Sequence, residues 1–393
     1  MRLIRLLVAV VTLVASVLVV RPYVHGLTFV VRAADLHGLM RRLADADTVG
    51  VNERVVSIPT PEGGAWRGRL YSPVREPRRS VLVVSGLHPA GIDEPRLVGL
   101  SRQLAGTGIA VLTPDIPDLA AFKITPAITD GIELAANWLL QTSSSGGRRS
   151  IALMGISFSG GLSIVAGGRP SIKDRIAYVF SFGGHDDLPR VLRYLCTGTE
   201  PLPRRELQLT ADKQEVFARQ PHDYGVAIIL LNVAERVVPA AQVEPLRAAV
   251  RRFLWASHLD RVDKPKADAE FAALRELARH LPQPSATLLG YVNDRDVVHL
   301  GARLLPYVSA YGSHPALSVS KSPKPSAPVY LLHGADDNVI PSIESEYLAE
   351  DLRLHAPVRL LLSRLVSHAE ADQPATVTEI AKLAGFWGDL LAR

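Results

Sequence analysis

The chain has 393 residues, 47% of them hydrophobic, enough to bury one large core or two moderate ones. Lys+Arg number 44 against 39 Asp+Glu, a net charge of +5, but the basic residues are scattered as pairs such as Arg148-Arg149, Arg204-Arg205 and Arg251-Arg252. Without one basic element interleaved with aromatics there is no nucleic-acid footprint, and a single cysteine, Cys196, excludes an internal disulfide framework or a multi-cysteine metal site.

The N-terminus "MRLIRLLVAVVTLVASVLVVRPYV" carries Arg2 and Arg5, an uncharged and mostly apolar run from Leu6 to Val20, and Arg21. A helix over Leu3 to Val20 would be about 27 Å long at ~1.5 Å per residue, close to the ~30 Å thickness of the hydrocarbon layer. Residues 1–21 are therefore expected to be a membrane anchor, with a cleaved signal peptide as the competing reading. The positive-inside rule keeps Arg2 and Arg5 in the cytoplasm and puts the rest of the chain outside it. Residues 22–50 read as a polar, partly helical lead-in.

Two β-rich runs then flank Pro61-Glu62-Gly63-Gly64, a hairpin signature. Short runs rich in Val, Ile and Leu follow at 80–86, 108–117, 150–155 and 176–184, as expected of parallel strands buried on both faces. Between them lie segments of helical length, Pro95–Gly106, Thr125–Gln141 and Leu162–Lys173. The alternation stops after Gly184. Residues 186–325 read as a largely helical insertion in which Leu246, Val250, Leu254 and Trp255 share a stripe, closing in a Pro/Ser-rich hinge over 312–328. It resumes over 326–393 with strands at 328–341 and 358–365, a helix at Ser342–Leu354, and a last helix repeating Val377, Ile380, Leu383, Ala384, Trp387 and Leu391.

Two antiparallel strands, four parallel ones, a helical insertion and two more strands with helices resemble the α/β-hydrolase fold with a cap inserted after its sixth strand. The core halves would be 51–185 and 326–393. In that context "GISFSGG", Gly155 to Gly161, resembles the nucleophile elbow Gly-x-Ser-x-Gly, with Ser in place of the last Gly. Ser157 then takes the nucleophile position, with Ser159 as the rival register. "HGADDNVIP", His333 to Pro341, resembles the family's acid segment and puts Asp337 at the acid position, with Asp336 as runner-up. His368, the only histidine after the eighth strand, stands where the family's base lies. Such a site also needs an oxyanion hole, which the resemblance assigns to the amides of Phe158 and of Leu87 in "VVSGLHPAG". Ser85 departs from the family there, and His88 reads as a brace for the loop.

His185-Asp186-Asp187 resembles half a metal site but reads as the start of the cap, and no cofactor is implied. The resemblance implies a Ser-His-Asp hydrolase of carboxylic esters acting through an acyl-enzyme on a small-molecule ester or lipid-like substrate. Thioester or amide cleavage and acyl transfer share that chemistry. A membrane-tethered binding protein without turnover is the alternative from another class.

Overall fold

The structure, a computed structural model, describes residues 20–143, 150–203, 216–366 and 376–393. Eight strands form one sheet: β1 (Val51–Pro59), β2 (Ala65–Pro73), β3 (Ser80–Val84), β4 (Ala110–Pro114), β5 (Ile151–Ile156), β6 (Ile176–Phe182), β9 (Val329–Gly334) and β10 (Val358–Ser363). Their spatial order is β1-β2-β4-β3-β5-β6-β9-β10. Only β2 runs against its neighbours, and every pair from β4 to β10 is parallel. The fold is α/β-hydrolase-like.

Alternate residues of one strand point to opposite faces, and here both faces are dry. Leu82, Val84, Leu153 and Leu331 enter one apolar core, while Val81, Val83, Met154 and Leu332 enter the other. Helices Ala127–Thr142 and Phe158–Gly167 cover the first face. Helices Pro95–Gly106 and Val377–Ala392 cover the second, joined by a helix over residues 20–33. That N-terminal helix packs closely on the C-terminal one: the Phe29 ring lies 4.4 Å from that of Trp387, tilted by 41°, and a Cβ at Gly26 would fall 2.0 Å from the Ala384 carbonyl. Residues 1–19, most of the expected anchor, lie outside the described residues. Among the described residues no helix is long and apolar enough to cross a membrane.

The segment between β6 and β9 contains the helices Leu188–Thr197, Asp223–Val237, Ala240–Val262, Lys264–His280, Ser285–Asn293 and Val297–Tyr311. Their buried residues are continuous with the first core. A two-stranded antiparallel ribbon of β7 (Thr199–Pro201) and β8 (Val216–Ala218) also occurs there, which helical periodicity did not anticipate. Trp255 is a correction: Leu246, Val250 and Leu254 are buried on the expected stripe, but Trp255 is 43% exposed, one position round the helix from Leu254. The Pro/Ser-rich segment is docked, with Leu317, Ser318 and Val319 buried and Pro323 lying against the end of the helix after β5 at Gly168.

Candidate active site

The sheet's parallel strands bring their C-terminal ends to one edge, the place where ligands bind in open α/β sheets. The turn after β5 is the most constrained point on that edge. Ser157 follows the strand directly, with φ 56° and ψ −129°, a conformation that costs a non-glycine residue roughly 1–3 kcal/mol. The helix expected from Leu162 begins instead at Phe158, immediately after this residue. Its N-terminal amides are therefore aimed at the edge, with the positive end of the helix dipole. The Ser157 amide donates to the Phe182 carbonyl at the end of β6 (2.6 Å), and the Gly160 amide donates back to the Ser157 carbonyl (2.8 Å).

The flanking residues must be small for the strand and helix to meet this closely. A Cβ on Gly155 would lie 2.1 Å from the Ser159 carbonyl oxygen, and one on Gly161 would lie 2.4 Å from that of His185. Ser159 is fully buried, and its hydroxyl donates to the Ser85 carbonyl (2.5 Å), tying the helix to the loop after β3. That loop comes down on Ser157: a Cβ on Gly86 would be 3.2 Å from the Ser157 Cβ. Leu87 and Phe158, the two expected amide donors, thus lie on segments that flank Ser157.

His88 does brace its loop. Its Nδ1 accepts the Ala90 amide (3.2 Å), and its ring meets His258 of the cap edge-on at 4.8 Å. Burial pushes the His88 pKa down to about 4, against the pull of Glu94, so the ring is neutral at physiological pH.

The two adjacent aspartates after β9 have different surroundings. Asp337 is 3% exposed; its Oδ1 accepts the amides of Val339 (2.8 Å) and Ile340 (3.1 Å), and its Oδ2 faces Gly183 at the end of β6. Asp336 has its side chain 65% exposed and pairs with Arg219 of the cap at 3.1 Å. His333, which sequence reasoning passed over, is buried beside Asp337. Its Nε2–H donates to the Ile340 carbonyl (2.9 Å) and lies 3.4 Å from Asp337 Oδ2, while the Ser345 hydroxyl donates to Nδ1 (2.6 Å). The loop that presents Asp337 is thereby fixed from behind.

His368, the expected base, lies outside the described residues; the chain is described to Val366, just beyond β10. His185 stacks on Phe158 (5.2 Å, 8°), and its Nε2–H donates to Leu317 (2.9 Å), with burial lowering its pKa. Asp187 accepts the Arg190 amide and caps helix Leu188–Thr197, the first helix after β6. No metal-binding cluster of His, Cys, Asp or Glu occurs among the described residues. Cys196 is buried, its thiol pushed up to about 12 by burial, which makes it unreactive.

The cap supplies residues that no local pattern announced. Tyr224 donates its hydroxyl to the Leu87 carbonyl (3.1 Å), the His222 amide donates to the Asn338 carbonyl (2.9 Å), and Arg219 Nη1 donates to the Ala335 carbonyl (3.1 Å). These partners are more than 100 residues apart in the chain, so nothing in sequence spacing could have found them.

No protein-family model matches the chain, and no curated protein matches its sequence. Among solved structures it is similar to an esterase from Pyrobaculum calidifontis, at 16% identity over 88% of each chain with a TM-score of 0.44. It is also similar to brefeldin A esterase, a bacterial homologue of human hormone sensitive lipase, at 14% identity over 88% of this chain and 79% of that one (TM-score 0.47). An arylesterase gives 14% identity over 90% and 91% of the two chains, with a TM-score of 0.47.

Proposed function

We propose that this protein hydrolyses carboxylic esters through an acyl-enzyme formed on Ser157. The backbone of Ser157 carries this reading: a serine held at φ 56° between a buried strand and a helix N-terminus, with a glycine of the neighbouring loop against it. Ordinary packing does not require that strain, whereas a nucleophile exposed at the apex of a tight turn does. In the proposed mechanism His368 removes the serine proton as Oγ attacks the acyl carbonyl. It then passes that proton to the leaving alcohol. Asp337 orients the imidazole and stabilises its cationic form. The Leu87 and Phe158 amides hold the tetrahedral oxyanion, and water releases the acid in a second round of the same chemistry.

Strand order supports the pairing of Ser157 with Asp337. They follow β5 and β9, which are separated by β6 alone, a lateral gap of roughly 10 Å at ~4.8 Å per strand. An imidazole hydrogen-bonded on both sides fits such a gap.

An apolar acyl substrate is proposed from the helices roofing the site, and a membrane location from the N-terminal apolar run. Of the sixteen large apolar side chains exposed among the described residues, seven lie between Val20 and Leu43, directly after that run. A bilayer surface would cover apolar side chains exposed there.

The test is hydrolysis of p-nitrophenyl esters from short to long acyl chains by the parent, Ser157→Ala and Asp337→Asn proteins. Loss of about 10⁴-fold or more in kcat in both variants is expected. Activity that survives in Ser157→Ala would end the proposal, and a preference for the shortest chains would end the apolar-substrate part of it.

A further inference from the structure

The loop after β3 is held at three points. The Ser159 hydroxyl takes the Ser85 carbonyl from the elbow helix, the Tyr224 hydroxyl takes the Leu87 carbonyl from the cap, and the His258 ring of the cap closes on His88. Two of the three come from the insertion. Tyr224 is the most telling of these, because the carbonyl it binds belongs to Leu87, the residue proposed to supply an oxyanion amide. Its partly buried ring packs against the core and meets Phe122 edge-on at 5.9 Å. Burial raises its pKa, so the hydroxyl remains a donor over the whole working pH range.

The same stretch of cap also holds the acid loop. Arg219 contacts Ala335 and Asp336, the His222 amide donates to Asn338, and the His222 ring accepts the Tyr224 amide at 3.1 Å. Residues 219–224 therefore run as a strap from the Asp337 loop to the Leu87 loop.

We infer that Tyr224 is a positioning residue, which sets the oxyanion loop through the Leu87 carbonyl and makes competence of the site depend on seating of the cap. The inference rests on the reading of Ser157 as nucleophile and Leu87 as oxyanion donor. Without the hydroxyl, the Leu87 carbonyl is a half-buried acceptor with no partner from the cap, and its peptide turns toward water. Rotation of that peptide shifts the preceding Gly86–Leu87 unit, which carries the donor amide.

A second cap tyrosine provides a matched control. Tyr311 likewise places its hydroxyl within hydrogen-bond distance of a core-loop carbonyl, that of Ile124 at 2.8 Å, sharing it with Asn232 Oδ1 at 2.7 Å, and it lies outside the site. Labelling of the full chain by a short-chain fluorophosphonate reads the oxyanion hole without knowledge of the natural substrate. Tyr224→Phe is expected to lower the saturating rate of Ser157 labelling between about tenfold and a hundredfold, leaving the half-saturating concentration within about twofold. Tyr311→Phe is expected to keep the parent rate within about twofold, although it loses a comparable hydrogen bond and melts at a similarly reduced temperature. Equal losses in the two variants would mean a general effect of cap stability, and a parental rate in Tyr224→Phe would mean no positioning; either overturns the inference. Absence of labelling at Ser157 in the parent protein would overturn the nucleophile reading and this inference with it. That outcome is distinguishable because it appears before any tyrosine is changed.

Discussion

Gly155, Ser159 and Gly161 seat the elbow helix by letting backbone meet backbone, whereas Arg190, Arg219 and Tyr224 seat the cap through polar contacts across a seam. The elbow side is set by close backbone approach together with the uncharged hydrogen bond from the Ser159 hydroxyl to the Ser85 carbonyl. The seam is built around a buried guanidinium. Arg190 Nε lies 2.5 Å from Glu344 and 2.8 Å from Glu200, its Nη2 lies 3.1 Å from Asp186, and it stacks on Tyr347 at 3.6 Å. Glu344 in turn accepts the amides of Asp186 (2.6 Å) and Asp187 (3.2 Å), where the chain leaves the core for the cap. Three carboxylates around one cation cannot all ionise in the dry interior. Burial, followed by the charge of Glu344, raises the pKa of Glu200, which holds the proton while Glu344 stays ionised. The junction where the chain leaves the core is thus built on groups whose ionisation changes with pH, whereas the turn after β5 is built on backbone contacts and neutral hydrogen bonds.

The sharpest test of that contrast is Arg190→Ala. Leaving Glu344 and its neighbours without their cation is expected to cost about 3–5 kcal/mol in urea unfolding. A cost below about 1 kcal/mol would mean that the cluster neutralises itself and that the seam is not held by charge. Gly155→Ala examines the other side. With its Cβ 2.1 Å from a backbone oxygen that cannot rotate away, the variant is expected to lose about 3 kcal/mol and its phosphonate labelling together. A protein of unchanged melting temperature would show that the elbow has slack.

The pH response comes next in size. Burial first, and the Glu344 charge second, push the Asp186 pKa up to about 7, partly offset by Arg190. A folded-state pKa above the unfolded one means that the native protein binds more protons in between. The stability from this group is thus complete below about pH 4 and is lost as pH rises through 7. Between pH 5 and 8 the parent should lose about 1–2 kcal/mol that Asp186→Asn does not. Parallel stability profiles for the two proteins would remove Asp186 from the account. The smallest effect is expected from Asp336→Asn, since the exposed pair with Arg219 contributes no more than about 0.5 kcal/mol. Its hydrolytic rate should match the parent's; a large loss of kcat there would transfer the acid's role from Asp337 to its neighbour.

Much of the core was legible because strand burial leaves a local signature. Runs such as Val81–Val84 and Ile151–Met154 face apolar cores on both sides, so the residues themselves are apolar without interruption. The tight turn after β5 was legible because a strand and helix that meet so closely need small residues at the contact, and Gly155, Ser159, Gly160 and Gly161 supply them. Trp255 was misjudged because helical periodicity assigns a face only to within a neighbouring position. The β7–β8 ribbon was missed because three-residue strands are too short to show a period.

The residues alone determined the hydrolase-like order of elements, the serine-bearing turn, and the pair of aspartates among which an acid would be sought. Side-chain periodicity and turn chemistry act over a few positions, and those features need nothing more. Only the tertiary structure decided which aspartate turns inward, that Ser159 is tied to the Ser85 carbonyl, and that Arg190 gathers carboxylates from positions 186, 200 and 344. It also brought Tyr224 to Leu87, 137 residues away. Partners at such separations are chosen by how the cap packs on the sheet, and no spacing along the chain encodes that.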